Sequence, residues 1–169
     1  HVSEAAASNP FAGLDCDDVV DHPEEPKDPD QLDCGVCADG TGRLRDITFR
    51  YLGDADATIE VTTAQTGPGS GAVVFGPRTV EFGETFLADG SDVPQNWNGG
   101  VQTLGQNTFL EIVKGGDPSA TTGVTLHTSC SKRVAVGDTL GSDGSGGPLY
   151  EIVAGNTLED GSLCGSEDL

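Results

Sequence analysis

The chain reads as an all-β protein, an antiparallel β-sandwich or jelly roll with an extended acidic N-terminal arm. Three observations lead there. Apolar and polar residues alternate in short runs from about residue 43 onward, 25 glycines help to punctuate these runs, and no segment keeps a helical apolar period over three turns. Abundant Thr and Val suit a pleated, half-buried surface. The arm takes residues 1–33 and the sandwich residues 34–169.

The arm is set apart by composition. From Asp15 to Asp30 its acids are interleaved with Pro23, Pro26 and Pro29, and each proline removes a backbone donor and biases its predecessor toward extended geometry. Its apolar residues are few and scattered, with a small knob at Pro10–Leu14, so Phe11 and Leu14 are the candidate anchors on a neighbouring subunit. Beyond the arm, Ile47, Phe49 and Tyr51 alternate with polar residues as a strand that Gly53-Asp54 ends. Ile59 and Val61 predict a second strand, and Ala72–Phe75 a third after a Gly-Pro-Gly-Ser-Gly stretch. Val80 and Phe82 flank Glu81 as a further short run, and Thr85–Ala88 comes after a Gly-Glu turn. Leu110 with Ile112, Val124 with Leu126, and Tyr150 with Ile152 and Val153 complete the set. The strand-poor stretch 89–100 holds the only tryptophan, Trp97, and reads as a packed surface loop. Val80–Phe86 and Val134–Leu140 share the pattern apolar-x-apolar-Gly-acid-Thr-apolar, which reads as one turn type used twice.

A formal charge of −20, from 28 acids against 8 bases, excludes nucleic acid as a partner, because phosphates require Lys and Arg. The charge suits a solvated surface, in a salt-rich medium where self-repulsion is screened. No apolar run reaches the length of a membrane span. The start at His1 is the start expected of a chain whose targeting peptide has been removed, which places the protein outside the cell. Among the acids, Asp89 and Asp92 are candidate ligands for a structural Ca²⁺, as are the groups around Asp15 and Asp54. None matches a helix-loop-helix calcium site, and no other cofactor is implied.

Five cysteines suit an oxidising compartment, and the odd number leaves one thiol for a neighbouring chain. The disulfide candidates are Cys16, Cys34, Cys37, Cys130 and Cys164. Cys130 is expected to bridge to Cys34 or Cys37, leaving the other to reach Cys164, with Cys16 the candidate for a bond between chains. Cys34, Cys37, His127 and Cys130 also have zinc-like spacing, but oxidation competes for these thiols in a secreted chain. Asp143-Gly-Ser-Gly-Gly-Pro148 resembles a chymotrypsin-type nucleophile signature. It departs from that signature because Gly144 separates the acid from Ser145, and His127 lies too close in sequence to be the family's upstream base. No catalytic residues are assigned.

Cys34-x-x-Cys37, Leu44-x-x-Ile-Thr-Phe-Arg-Tyr-Leu-Gly53, Val80-x-Phe-Gly-Glu-Thr-Phe86, Leu104-Gly105, Leu126-His-Thr-Ser-Cys-Ser-Lys132 and Val136-Gly-Asp138 together resemble a family of secreted β domains of unknown function from microbial surface and matrix proteins. The resemblance spans residues 34–153 and implies a secreted, non-enzymatic, architectural role. The expected function is a structural subunit of an extracellular assembly (a filament, sheath or surface layer). It would polymerise with copies of itself through sandwich edges and the N-terminal arm. The alternative is a secreted ligand-binding or adhesive module for carbohydrate or protein, with Ca²⁺ as a candidate stabiliser and Asp89, Asp92 and Trp97 forming its loop.

Overall fold

The computed structural model describes residues 33–38, 42–63, 71–93, 103–106, 109–114, 122–128 and 133–165. The acidic arm, apart from Asp33, lies outside them, as do Cys16, Trp97 and Cys130. Among the described residues nine strands run in chain order: β1 (Arg43–Tyr51), β2 (Ala57–Thr63), β3 (Val73–Val80), β4 (Thr85–Asp89), β5 (Gly105–Gln106), β6 (Phe109–Lys114), β7 (Thr122–His127), β8 (Thr139–Leu140) and β9 (Tyr150–Thr157). A 3-10 turn, Gly90–Asp92, is the sole helical element among the described residues.

The strands form two antiparallel sheets. The first has the order β4-β1-β9-β8, with β5 added alongside β1; the second has the order β3-β2-β6-β7. The two sheets make the expected β-sandwich, without strict jelly-roll order. Phe75 of β3 stacks on Phe86 of β4 at 4.7 Å between ring centroids. On the opposite flank, a Cβ on Gly141, just after β8, would meet Val124 of β7. Outer strands of the two sheets therefore meet along both sides.

Alternation builds the core, and bulges correct it. Along β2, Ala57, Ile59, Val61 and Thr63 all point inward. In β1 the inward residues are Leu44, Ile47, Phe49 and Tyr51, so one step is three residues long. The register accounts for this: Leu44 and Asp46 lie opposite the adjacent residues Thr157 and Asn156, leaving Arg45 as the extra residue of a bulge. A second shift, between Thr48 and Phe49, re-phases β9 so that Tyr150, Ile152 and Thr157 also face inward. The aromatic centre links Phe49 to Phe86 at 5.5 Å, Phe86 to Tyr150 at 6.1 Å and Tyr150 to Tyr51 at 5.9 Å.

The sequence reading ends the third strand at Phe75 and places Phe82 in a separate run. The structure corrects both. β3 continues through a bulge at Gly76-Pro77, where the peptide bond is cis, to Val80. A proline in a strand is tolerated because β3 is an outer strand. Phe82 lies in the turn between β3 and β4, not in a strand.

Candidate functional site

The two repeated motifs form the same turn, and each launches an outer strand of the first sheet. In the first, Glu84 N–H donates to the Glu81 carbonyl at 3.0 Å, and Glu81 N–H donates to the Glu84 carboxylate at 3.0 Å. In the second, Asp138 N–H donates to the Ala135 carbonyl at 3.2 Å, and Ala135 N–H donates to the Asp138 carboxylate at 2.8 Å. Both turns place a glycine at positive φ in the third position, Gly83 at 78° and Gly137 at 97°, as a type II turn requires. Both dock on a central strand identically. Gly83 N–H donates to Tyr51 O and Tyr51 N–H to Glu84 O, while Gly137 N–H donates to Ile152 O and Ile152 N–H to Asp138 O.

The central pair obeys the same symmetry, since Tyr51 lies opposite Tyr150 and Phe49 opposite Ile152. Phe86 then pairs with Phe49 as Leu140 pairs with Tyr150. The first sheet thus has a local pseudo-two-fold between β1 and β9, centred on the cross-strand ion pair of Arg50 with Glu151 at 2.8 Å.

The two turns lead into different strands. After the second, β8 ends at Leu140, because Gly141 at φ 73° bends the chain away; a Cβ there would lie 2.7 Å from Val124. At the equivalent place after the first turn stands Leu87, and β4 runs on to Asp89. The second position of each turn differs as well. Val136 is partly buried against the core and covered by the chain itself: its N–H donates to Cys164 O at 2.7 Å, and it bridges Gly165 in parallel. Phe82 occupies the equivalent position with 68% of its surface exposed, and its N–H has no acceptor among the described residues. Leu87 is 45% exposed.

Among the described residues β4 pairs with β1 alone. Antiparallel alternation, phased by the Tyr51 N–H to Glu84 O bond, directs the backbone groups of Thr85, Leu87 and Asp89 away from β1. The neighbouring outer strand β3 is blunted by its bulge, by Pro77 and by Arg78, whose guanidinium pairs with Glu84 and lies 5.2 Å over the Phe75 ring. β7, six residues long, pairs with β6 alone among the described residues and is the other uninterrupted outer strand.

The segments before β1 and after β9 are fastened together. Cys34 is bonded to Cys164, with Cα atoms 4.9 Å apart, and Gly35 N–H donates to Ser162 O. Cys37 is disulfide-bonded too. A zinc site using Cys34 is therefore replaced by a disulfide. Among the described residues no group of three or more His, Cys, Asp or Glu is placed to hold a metal ion.

The other predicted positions are scattered rather than gathered at one site. Phe11, Leu14, Cys16, Trp97 and Cys130 lie outside the described residues. Asp89 caps the 3-10 turn, its carboxylate accepting from Ser91 N–H at 2.8 Å, and Asp92 ends that turn. Ser145 is exposed, and its hydroxyl donates to Asp143 at 2.7 Å. The Asp143 carboxylate also accepts backbone N–H groups of Ser145 and Gly147, and these bonds, the Ser145 hydroxyl foremost, hold it below the usual carboxylate range. The protease-like letters thus build an Asp-closed turn. In the core, the Tyr150 hydroxyl is buried without a partner among the described residues, and burial, with Tyr51 nearby, pushes its pKa up.

Sequence reasoning missed Phe82 and Leu87. The repeat was legible, and so was the mismatch of Leu87 with Gly141; that Val136 is covered and Phe82 is not required the fold.

Residues 51–143 match a family described as a domain of unknown function (DUF7467), and the chain belongs to that family. The matched span contains both turns and β2 through β8. No curated protein and no solved structure matches the chain.

Proposed function

We propose that this protein is a structural, non-enzymatic subunit of an extracellular assembly built from copies of itself. The observation that carries the reading is β4, among the described residues a regular outer strand with an outward row of backbone groups beside a blunted β3. An open edge of this kind invites strand addition, and a head-to-tail contact that does not close generates a fibre or sheet. The disulfides support an oxidising, extracellular location, and no helix among the described residues is long and apolar enough to cross a membrane. The Asp143 carboxylate that accepts from the Ser145 hydroxyl is held below the usual carboxylate range, which makes it a weak general base and supports a role without nucleophilic catalysis. The resemblance to secreted β domains of unknown function, which implies an architectural role, points the same way. The adhesive alternative draws no support of this kind, since Trp97, the ring its loop would stack on a ligand, lies outside the described residues.

The test is electron microscopy with sedimentation of the full 169-residue chain across a salt series. With a net charge of −20, assembly should strengthen as the screening length falls from about 10 Å at 0.1 M to about 3 Å at 1 M salt. Filaments or sheets growing with salt are the expected outcome. A chain that stays monomeric throughout the series rejects the reading.

A further inference from the structure

We infer that the apex of the first turn and the open edge of β4, marked by Phe82 and Leu87, are the acceptor surface for residues 5–14 of a second copy. This rests on the assembly reading and names its contact.

The pseudo-two-fold leads to this surface. Two turns with the same hydrogen bonds present an apolar residue at the same position. At one of them an extended segment ending in Cys164 and Gly165 lies across that residue and accepts its N–H. The shape of this turn therefore takes an extended chain over its apex. At the other, the apex residue is a phenylalanine, more costly to leave in water than valine, and it is the most exposed large apolar side chain among the described residues. Beyond it β4 offers the groups of Thr85, Leu87 and Asp89, where the other turn leads straight into Gly141. Such an apex and edge suit an extended, uncharged segment with an aromatic or aliphatic anchor.

The arm contains one uncharged segment with anchors of this kind. Thirty-two residues precede Asp33, and among them Ala5–Leu14 carries no charge between Glu4 and Asp15, with Phe11 and Leu14 as its large apolar residues. The acidic remainder of the arm would be repelled by a chain of net charge −20, whereas this segment adds no charge to the contact. A strand so added satisfies the outward backbone groups of β4 and covers Phe82 and Leu87 together.

The experiment uses full-length chains at about 1 M salt, where repulsion is screened. Phe82→Ser and Leu87→Lys should each raise the concentration needed for assembly by about tenfold or more, a change of about 1.4 kcal/mol per tenfold. Both side chains are exposed, so the dispersed variants should melt as the parent does. Thr125→Lys, on the exposed face of β7, should leave assembly unchanged. Mixing Phe11→Ser chains, which keep the edge, with Leu87→Lys chains, which keep the arm, should give dimers that cannot grow. If Thr125→Lys blocks assembly and the other two do not, β7 is the acceptor and the assembly reading survives without this inference. If the mixture stays monomeric while the parent assembles, the second-copy assignment is wrong. A parent that never assembles overturns both.

Discussion

The turn Glu81–Glu84 and the turn Ala135–Asp138 share a backbone, a glycine and a carboxylate acceptor, yet their surroundings diverge. The second is braced: Val136 is bridged to the segment that Cys34–Cys164 holds in place, and its strand stops at Gly141. The first projects Phe82 into solvent and launches a strand that keeps its outer edge. One local solution for starting an outer strand thus gives a closed edge or an open one, depending on a single downstream residue and on what the rest of the chain lays over it. On the reading proposed above, the copy left open among the described residues is the one that serves contact between molecules.

The largest test of this asymmetry removes the brace. Replacing Cys34 and Cys164 together by Ser should destabilise the domain by up to about 5 kcal/mol, the chain-entropy figure for a loop with a sequence separation of 130. Chemical denaturation measures the total. Amide exchange should show the Gly137 and Ile152 N–H groups losing more protection than those of Gly83 and Tyr51; equal losses would mean that the brace does not act on the second turn selectively.

Next in size is Gly141→Ala. The positive φ and the approach to Val124 together should cost about 2–4 kcal/mol, measured by chemical denaturation. The converse change, Leu87→Gly, imitates the closed half and should cost about 1 kcal/mol, because Leu87 is exposed and only strand preference is lost. If the two cost the same, Gly141 is not what ends β8.

The turn carboxylates sharpen the comparison further. Asp138→Ala should cost about 1 kcal/mol, since its bond to Ala135 N–H is partly buried, and Glu84→Ala about half as much, since its bonds to Glu81 N–H and to Arg78 are both exposed and screened. Thermal melts of the two single variants decide the order.

The smallest effect makes the halves chemically alike. Tyr150 stands where the symmetry puts Phe49, and its hydroxyl has no partner among the described residues. Its pKa is raised in the folded protein, so the fold favours the neutral phenol. That contribution is complete below the unfolded value of about 10 and is lost as pH rises above it, where only the unfolded chain ionises. Tyr150→Phe should change neutral-pH stability by less than about 1 kcal/mol and flatten the alkaline fall; an unchanged alkaline limb would show that Tyr150 is not its source.

Much of this was legible in the residues. Alternation around Ile47, Ile59, Leu126 and Ile152 marked the strands, and the repeat at Val80 and Val134 marked one turn type used twice. The strand through Gly76-Pro77 was not legible, because glycine and proline break a pattern everywhere except at a bulged outer strand. Leu44 and Ile47 could both be seen as apolar, but that both face inward depends on a bulge opposite Thr157 and Asn156.

By itself the sequence determined the fold class and the shared turn, because local periodicity and glycine at positive φ act over a few residues. Only the tertiary structure decided that Cys34 takes Cys164, that Val136 is covered and that Phe82 is left exposed. Those outcomes depend on which distant segments arrive at the same place. Pairing of β1 with β9, about a hundred residues apart, brings the two turns into one sheet and makes their difference visible.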